Sequence, residues 1–390
     1  MNKKVVLAYS GGLDTSVAVR WLKDKGYDVI AYMGDVGQGE DFSSSKKRGM
    51  IAGASKVIIE DLKDEFVKDF IFPSLKAGAV YESKYFLATA LSRPLLAKGL
   101  VEVAEKEKAE YVAHGCTGKG NDQVRFEVTI GSLDSKLKII APVREWELPT
   151  REAEIRYAKQ HKIPIEVTKK SPYSIDKNLW GISIESGKLE DPYLEPPGDV
   201  YQMTKDPSQA PAKPVYLEIY FEKGIPKKLN GKELRGIALL AKLNQIGGAN
   251  GIGRSDMIEN RLVGIKSREI YEAPAAYILH EAHKALESLV LDRELAHFKE
   301  SISLKYSELI YYGLWYTPLR KALDKFIDET QKNVTGNVKV KLNKGNCAIV
   351  GRKSAHSLYK YELATYGKGD KFNQSLAKGF IQIWGLPYKK

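Results

Sequence analysis

Short β-branched runs alternate with amphipathic stretches over the first ~165 residues, and this alternation constrains the fold more than any other feature of the chain. Strands that alternate with helices form a parallel sheet with helices on both faces. The pattern therefore predicts a doubly wound α/β domain over residues 1–165. Its predicted strands are residues 5–8, 29–33, 57–59, 111–114 and 137–141. Its predicted helices are residues 15–25, 43–53, 63–72, 87–108 and 150–161.

The local amino-acid composition changes between residues 163 and 213, where Pro, Gly, Ser and Asp become common. A chain of 390 residues is also too long for one ordinary core. We therefore place a domain boundary in this region and predict a second domain of α+β type over residues 166–365. Its predicted elements are a strand at 215–221, helices at 236–246, 274–297 and 318–331, and a hairpin of strands 338–342 and 348–350.

The C-terminal segment, residues 366–390, is rich in large apolar side chains. An apolar patch of this kind needs a surface to cover it, either on its own chain or on another subunit. The side chains concerned are Phe372, Leu376, Phe380, Ile381, Ile383 and Trp384.

The composition excludes several classes of protein. Lys and Arg number 61 against 49 Asp and Glu, but the lysines are scattered singly, which favours a solvated surface over a site for anions. The two cysteines, Cys116 and Cys347, are far apart, so a disulfide framework or a zinc site is not expected. No apolar run approaches the ~20 residues of a membrane span, and the apolar residues 5–8 are too short for a signal peptide. We expect a cytoplasmic protein with no membrane partner.

A glycine-rich turn follows the first predicted strand and opens the first predicted helix. Two glycines let the backbone approach a ligand, and the N–H groups of the helix start attract an anion. The spacing is neither that of a Walker A loop nor that of a dinucleotide fingerprint. A plain strand-to-helix turn is the alternative, but Ser-Gly-Gly-x-Asp-Thr-Ser after a buried strand is more specific than that. The segment predicted to bind phosphate is Ala8, Tyr9, Ser10, Gly11, Gly12, Leu13, Asp14, Thr15 and Ser16.

Two more loops follow strands of the same predicted sheet, at residues 34–37 and 114–126. Ligands of doubly wound sheets sit beyond the carboxyl ends of the strands, so the three loops should converge on one crevice. Asn121, Asp122 and Arg125 lie within one helical turn. Asp122 could receive the ammonium of an amino acid and Arg125 its carboxylate. The alternative for these residues is a helix cap with a surface ion pair.

Three other segments of the sequence contain residues that could form a binding site. The charged stretch 251–268 contains Gly251-x-Gly253 after a helix rather than a strand, which excludes a dinucleotide site but decides nothing else. His280 and His283 have the wrong spacing for a zinc helix and are predicted to be structural or on the surface. The aromatic segment 306–316 could stack on nucleic acid, but a helix packed at a domain or subunit interface is the favoured interpretation.

The glycine-rich turn resembles the pyrophosphate-binding loop of the N-type ATP pyrophosphatases, which cleave ATP to AMP and pyrophosphate. Taken together, the motifs resemble the argininosuccinate synthase family, and the matches run in order along nearly the whole chain. They are residues 8–16, Tyr85, Thr89, 92–94, 114–126, 174–183, 259–261, 266–268, Tyr271, Glu272 and 291–294.

The resemblance implies an ATP-pyrophosphatase domain of the adenine-nucleotide α-hydrolase type, a synthetase domain and a C-terminal oligomerisation arm in a homotetramer. It implies that citrulline, aspartate and ATP give argininosuccinate, AMP and pyrophosphate through a citrullyl-adenylate, with Mg²⁺ required. By position, ATP contacts would be residues 8–16, Gly34 and Gly115, and Asp14 is the candidate for positioning Mg-ATP. Aspartate contacts would be Thr117, Asn121 and Asp122. Citrulline contacts would be Tyr85, Asn121, Arg125, Ser174, Ser183, Glu259 and Tyr271. No side chain is assigned as a metal ligand.

Two other functions remain open at this point. A tRNA-modifying ATP pyrophosphatase would also adenylate a carbonyl oxygen, and the net charge of +12 favours it. The lack of a paired-cysteine sulfur site and of an evident RNA-binding module counts against it, so no nucleic-acid partner is predicted. A nucleotide-binding sensor would need neither the amino-acid contacts nor the charged stretch 251–268.

Overall fold

Five parallel strands form the first sheet of the computed structural model, which describes residues 3–164 and 173–389. The order is β3-β2-β1-β4-β5, so the chain leaves β1 in one direction and later returns to its other side. This reversal places a topological switch point between β1 and β4. The strands are β1 Lys3–Ala8, β2 Tyr27–Asp35, β3 Lys56–Asp61, β4 Tyr111–His114 and β5 Lys138–Ile140.

Helices cover both faces of this sheet. Val17 and Leu22 pack against one face together with Ala158, whereas Leu100 and Phe126 pack against the other. The predicted helix at 63–72 is wrong in part, because a π-helical stretch, Phe66–Ile71, separates two short α-helices. The helices are α1 Leu13–Asp24, α2 Phe42–Ala52, α3 Lys63–Glu65, α4 Phe72–Ala77, α5 Ala88–Glu107, α6 Asp122–Leu133, α7 Pro142–Glu145 and α8 Arg151–Gln160.

The second half of the chain is built on two antiparallel sheets. The first has the order β10-β9-β8-β13-β14 and the second β11-β12-β7-β6. The hairpin predicted around residues 343–346 is present as β13 and β14. The strands are β6 Ser174–Asn178, β7 Gly181–Glu185, β8 Val215–Glu222, β9 Ile225–Leu229, β10 Lys232–Glu233, β11 Arg254–Asn260, β12 Lys266–Glu272, β13 Gly336–Asn343 and β14 Asn346–Lys353.

The helices of this half include one clear departure from the sequence prediction. The single helix predicted at 274–297 is wrong, because Leu291 is extended and Asp292 starts a new helix. The Asp292 carboxylate accepts a hydrogen bond from the backbone N–H of Leu295 at 3.0 Å, which caps that helix. The helices are α9 Gly236–Ala249, α10 Pro274–Val290, α11 Arg293–Tyr311, α12 Pro318–Thr330, α13 Tyr361–Ala364 and α14 Leu376–Trp384.

One large hydrophobic core joins the two halves. It contains Phe70 and Leu91 from the first half and Trp180, Leu240 and Tyr271 from the second. The Trp180 indole N–H donates to the carbonyl of Phe86 at 2.8 Å, which ties the start of the second half to α5. The predicted boundary between residues 165 and 166 lies outside the described residues. Because the halves share this core, side chains from both can face one site.

The C-terminal segment contains a helix whose apolar side chains face solvent. Leu376, Phe380, Ile381, Ile383 and Trp384 are each more than 60% exposed. The oligomerisation arm predicted at 366–390 stays a prediction, and these side chains find no cover on the described part of their own chain. Among the described residues, no helix is both long and apolar enough to cross a membrane.

Candidate active site

A cavity of ≈ 690 Å³ opens at the carboxyl ends of β1, β2 and β4. The three predicted loops meet there, as expected for a ligand site at a switch point. Most residues predicted to bind ATP, aspartate or citrulline line this cavity, and they come from both halves of the chain. These lining residues are Ala8, Tyr9, Ser10, Asp14, Thr15, Gly34, Tyr85, Gly115, Thr117, Asn121, Asp122, Arg125, Ser174, Ser183, Glu259 and Tyr271.

Four predicted ATP contacts, Gly11, Gly12, Leu13 and Ser16, are not part of the cavity wall. Gly11 has φ of 76°, and a Cβ on it would lie 2.3 Å from the Ser45 hydroxyl, so the turn requires glycine. The Ser16 hydroxyl lies 3.0 Å from that of Tyr9 and is buried. These residues shape the turn, while their neighbours present the polar groups.

The glycine-rich turn presents its donors at the start of α1. Gly12 caps this helix without a side-chain hydrogen bond, so its first N–H groups stay available to a ligand. The Ser10 hydroxyl lies 3.0 Å from that of Thr15, which holds both beside the cavity. A helix start with unused N–H groups and two hydroxyls is suited to phosphate.

Gly34 and Gly115 let two neighbouring loops approach closely. A Cβ on Gly34 would lie 2.5 Å from Leu96, and one on Gly115 would lie 2.9 Å from Thr15. The loop after Gly115 is braced by Gln123, whose side-chain amide donates to the carbonyl of Gly118 at 2.6 Å. The wall around the phosphate end is therefore built from backbone that larger residues would displace.

Asp122 stands between two arginines at the other end of the cavity. Its carboxylate accepts from Arg93 Nε at 2.7 Å and from Arg125 Nη1 at 2.8 Å. Burial alone would raise the pKa of Asp122, but the two guanidinium charges outweigh it and hold that pKa below its ordinary value. Arg93 also pairs with Asp176 at 2.9 Å. Asp122, Arg93, Arg125 and Asp176 therefore form a cluster of four charges.

Arg125 has one side-chain hydrogen-bond donor without an acceptor in the described part of the chain. The residue is 4% exposed, and its Nη2 atom has no partner among residues 3–164 and 173–389. A buried guanidinium N–H without an acceptor is costly, so the arrangement favours a ligand that supplies one. A carboxylate is the acceptor that best matches the N–H groups of a guanidinium.

Glu259 forms a second buried acidic centre. Its two oxygens accept from the hydroxyls of Tyr271 at 2.6 Å and Tyr311 at 2.7 Å. Burial raises the pKa of Glu259, while these two hydrogen bonds oppose the rise. The charged stretch that the sequence left undecided thus contributes to the cavity wall.

Tyr85 and Ser183 join the two halves at the floor of the cavity. The Tyr85 ring stacks on Tyr271 with 4.0 Å between centroids. The hydroxyl of Thr89, at the start of α5, lies 2.8 Å from that of Ser183 on β7. These contacts fix the distance between α5 and the second antiparallel sheet.

A third charged cluster lies on the same wall. Arg261 donates to Glu269 at 2.6 Å and also pairs with Glu185. Burial raises the pKa of Glu269 to about 9, and the charges of Glu185 and Glu259 act in the same direction.

Asp14 is paired with a buried acid on α8. Glu154 hydrogen-bonds to Asp14, and its Oε2 atom has no partner in the described part of the chain. Burial raises the pKa of Glu154 to about 8, and the charge of Asp14 adds to the rise. The two carboxyl groups thus lie together next to the glycine-rich turn.

Several cavity residues were not assigned from the sequence. Arg93, the one charged residue in the stretch 85–97 of the sequence, was a signal that could have been followed. Asp176 and Arg261 also line the cavity, and Tyr311 contacts the wall residue Glu259; only the fold brings these three residues to the site.

His283 and the aromatic segment 306–316 fit structural roles. The ring of His283 is buried and donates to the side chain of Gln331 at 2.8 Å. The aromatic segment packs in the shared core, where Trp315 stacks on Phe70 at 4.8 Å. Among the described residues, no group of three or more His, Cys, Asp or Glu side chains could hold a metal ion.

Comparison with known proteins gives full-length matches. A family model described as the arginosuccinate synthase N-terminal HUP domain matches residues 4–164, and one described as the arginosuccinate synthase C-terminal domain matches residues 173–390. The argininosuccinate synthase of Carboxydothermus hydrogenoformans is 58% identical over 390 residues, which cover 100% of this chain and 97% of that protein. That of Pelodictyon phaeoclathratiforme is 56% identical, with the same coverage.

A solved structure titled as a predicted subunit of tRNA methyltransferase from Methanocaldococcus jannaschii is 16% identical, with a TM-score of 0.28. It covers 40% of this chain and 76% of its own. The family models and the full-length relatives lead to one conclusion: the chain belongs to the argininosuccinate synthase family.

Proposed function

We propose that this chain joins citrulline and aspartate at the expense of ATP, giving argininosuccinate, AMP and pyrophosphate in arginine biosynthesis. The observation that carries the proposal is one cavity that unites a phosphate-type turn with buried charges of both signs. Membership of the family supports the same reaction.

ATP would lie at the end formed by the glycine-rich turn. Residues 8–16, Gly34 and Gly115 are the proposed contacts, with the N–H groups of α1 directed to the phosphates. Gly11, Gly12, Leu13 and Ser16 would act through their backbone or by shaping the turn.

The two amino acids would occupy the charged end. We assign aspartate to Thr117, Asn121 and Asp122. Because Asp122 already faces two arginines, an incoming ammonium would compete with them, and the substrate carboxylates would compensate those arginines. Citrulline is assigned to residues of both halves, namely Tyr85, Asn121, Arg125, Ser174, Ser183, Glu259 and Tyr271.

The chemistry follows from the poor leaving ability of a ureido oxygen. That oxygen would attack the α-phosphate of ATP, forming an O–P bond while pyrophosphate leaves. The amine of aspartate, after losing a proton, would then attack the ureido carbon and displace AMP, which carries the oxygen away. The side chains would contribute positioning and charge stabilisation rather than a covalent nucleophile.

Mg²⁺ is the metal that the family implies, and the donors at the phosphate end fit it. Asp14 faces the cavity there, and Mg²⁺ is usually bound by one or two carboxylates together with substrate phosphates. Asp14 would hold the ion with the phosphates of ATP, where it would neutralise phosphate charge.

We further propose a homotetramer in the cytoplasm. The exposed apolar side chains of α14 support self-association, since they have no cover on the described chain.

Release of pyrophosphate tests the reaction. We expect release from ATP when citrulline and aspartate are both present. Release with transfer RNA in place of the amino acids would favour a tRNA-modifying enzyme, and binding of ATP without release under any of these conditions would favour a sensor. Either result would contradict the proposed function.

A further inference from the structure

Tyr311 is a buried residue at the end of α11 that connects several proposed substrate contacts without lining the cavity itself. Its hydroxyl lies 2.7 Å from Asn121 Nδ2 and 2.7 Å from Glu259 Oε1. The sequence offered no functional reason for this tyrosine beyond packing. The fold brings it to residues that are far away in the chain.

The direction of these hydrogen bonds is fixed by the chemistry of the groups. The backbone N–H of Leu262 donates to Asn121 Oδ1 at 2.8 Å, which establishes the orientation of that amide. Asn121 Nδ2 can only donate, so the Tyr311 oxygen accepts. The Tyr311 proton must therefore point to Glu259, whose carboxylate accepts it.

Tyr311 also restrains Arg125. Its backbone carbonyl accepts from Arg125 Nε at 2.9 Å, and the guanidinium lies 4.9 Å from the centre of its ring. The Tyr81 ring stacks on the Tyr311 ring, with 3.7 Å between the two centroids. These contacts hold Tyr311 in one position, and Tyr311 in turn restrains its hydrogen-bond partners.

We infer that Tyr311 is a positioning residue for the amino-acid end of the cavity, where its hydroxyl orients Glu259 and Asn121 together. This inference rests on the proposed function. The two partners come from β11 and from the start of α6, which belong to different halves of the chain. One hydroxyl therefore fixes the relative positions of two proposed substrate-binding groups that come from different halves of the chain.

The same hydroxyl should affect the titration of Glu259. Hydrogen bonds from Tyr311 and Tyr271 lower the pKa of this acid against the rise caused by burial. Removal of one donor should raise that pKa further. The other titratable or charged groups that face Glu259 are Tyr81, Tyr85, Arg125, Arg261 and Glu269.

Tyr311→Phe tests the inference, because it removes the hydroxyl and keeps the stacked ring. We expect the KM for citrulline and for aspartate to rise about tenfold or more, with the dissociation constant of ATP changed less than about twofold. The acid limb of the pH profile should move to higher pH, since Glu259 would become protonated more readily. The ¹³C shift of the Glu259 carboxyl, assigned with Glu259→Gln, should report the same rise in pKa without any need for turnover.

Tyr306→Phe is the matched control. Tyr306 lies on the same helix and donates to Asp324 at 2.7 Å, so its loss also removes a buried hydroxyl–carboxylate bond. We expect this variant to lose thermal stability but to keep wild-type KM values and pH profile. If Tyr311→Phe behaves like Tyr306→Phe, with KM values and Glu259 titration unchanged, the residue is only structural and the inference is wrong.

The outcome is separable from that of the proposed function. A wild-type protein that releases no pyrophosphate with citrulline and aspartate would contradict the function. The NMR titration of Glu259 would then still decide the role of the Tyr311 hydroxyl, because an unchanged pKa in Tyr311→Phe overturns it and a raised pKa supports it.

Discussion

Single residues decide how charge is distributed along the cavity. The glycine-rich turn could be read from the sequence, and Gly11 has a local reason to be glycine because its φ is positive. The partners of Asp122 could not, since Arg93 lies on another helix and meets it only in the folded chain. Sequence motifs predicted which groups face the ligand, whereas the buried pairs that set their charge needed the three-dimensional arrangement.

Asp122→Ala should impair the use of aspartate much more than the binding of ATP. The substitution removes the carboxylate proposed to receive an ammonium and leaves Arg93 and Arg125 with an uncompensated buried charge. We expect the KM for aspartate to rise by about a hundredfold and the ATP dissociation constant to change less than about threefold.

Steady-state kinetics and ATP titration give these two constants. Asp134→Ala, at the far end of the same helix and outside the cavity, serves as the control and should change neither. Equal losses for aspartate and ATP would show that Asp122 only supports the structure.

Glu154→Gln should alter the pH dependence of stability. The pKa of Glu154 is raised to about 8 in the folded protein, so its stabilising contribution is present below about pH 4.5 and is lost as the pH rises through 8. Glutamine cannot ionise and can still donate to Asp14. Between pH 5 and pH 8.5, we expect the unfolding free energy of the wild type to fall more than that of the variant, by on the order of 2 kcal/mol.

Urea unfolding at the two pH values measures this difference. Glu152→Gln changes an exposed acid on the same helix and should behave like the wild type. A Glu154→Gln variant whose stability falls with pH as steeply as that of the wild type would contradict the assignment.

Elements with a strong local signal were predicted well from the sequence. The alternation of strands and helices gave the first sheet, and Thr150, where the predicted helix 150–161 begins, caps α8 with its hydroxyl 3.2 Å from the Ala153 N–H. The break at Asp292 was missed, because the apolar periodicity continues across it. An aspartate inside a helical pattern can be a surface residue or a new cap, and only tertiary packing selects between them.

Asp292→Ala tests that cap at the level of the helix. Loss of the carboxylate leaves the Leu295 N–H without its partner, so we expect unfolding free energy to fall by about 1 kcal/mol. Asp292→Asn, which retains an acceptor, should keep most of the stability. Equal losses in both variants, measured by urea unfolding, would show that the carboxylate does not act as a cap.

At the scale of the whole molecule, the shared core explains why both halves contribute to one cavity. The sequence predicted two domains and a tail, but it could not show that the tail's apolar side chains lie in solvent on a lone chain. Burial of half of these side chains in an assembly would contribute several kcal/mol at ~1.5–3 kcal/mol each. The tail is thus the strongest candidate for holding subunits together.

Deletion of the chain from Gly369 onward should break the proposed homotetramer and leave the first domain folded. None of the deleted apolar side chains belongs to the core of the first sheet. Light scattering measures the mass, and ATP binding reports on the first domain. A truncated protein that keeps the mass and concentration dependence of the full chain would show that the tail is not needed for assembly.

The central claim is that citrulline is activated as an adenylate before aspartate attacks. Citrulline labelled with ¹⁸O in its ureido group tests this claim most directly, because the labelled oxygen forms the bond to the α-phosphate. Mass spectrometry after turnover with ATP and aspartate should find the label in AMP. Label in pyrophosphate or retained in argininosuccinate would contradict the adenylate route.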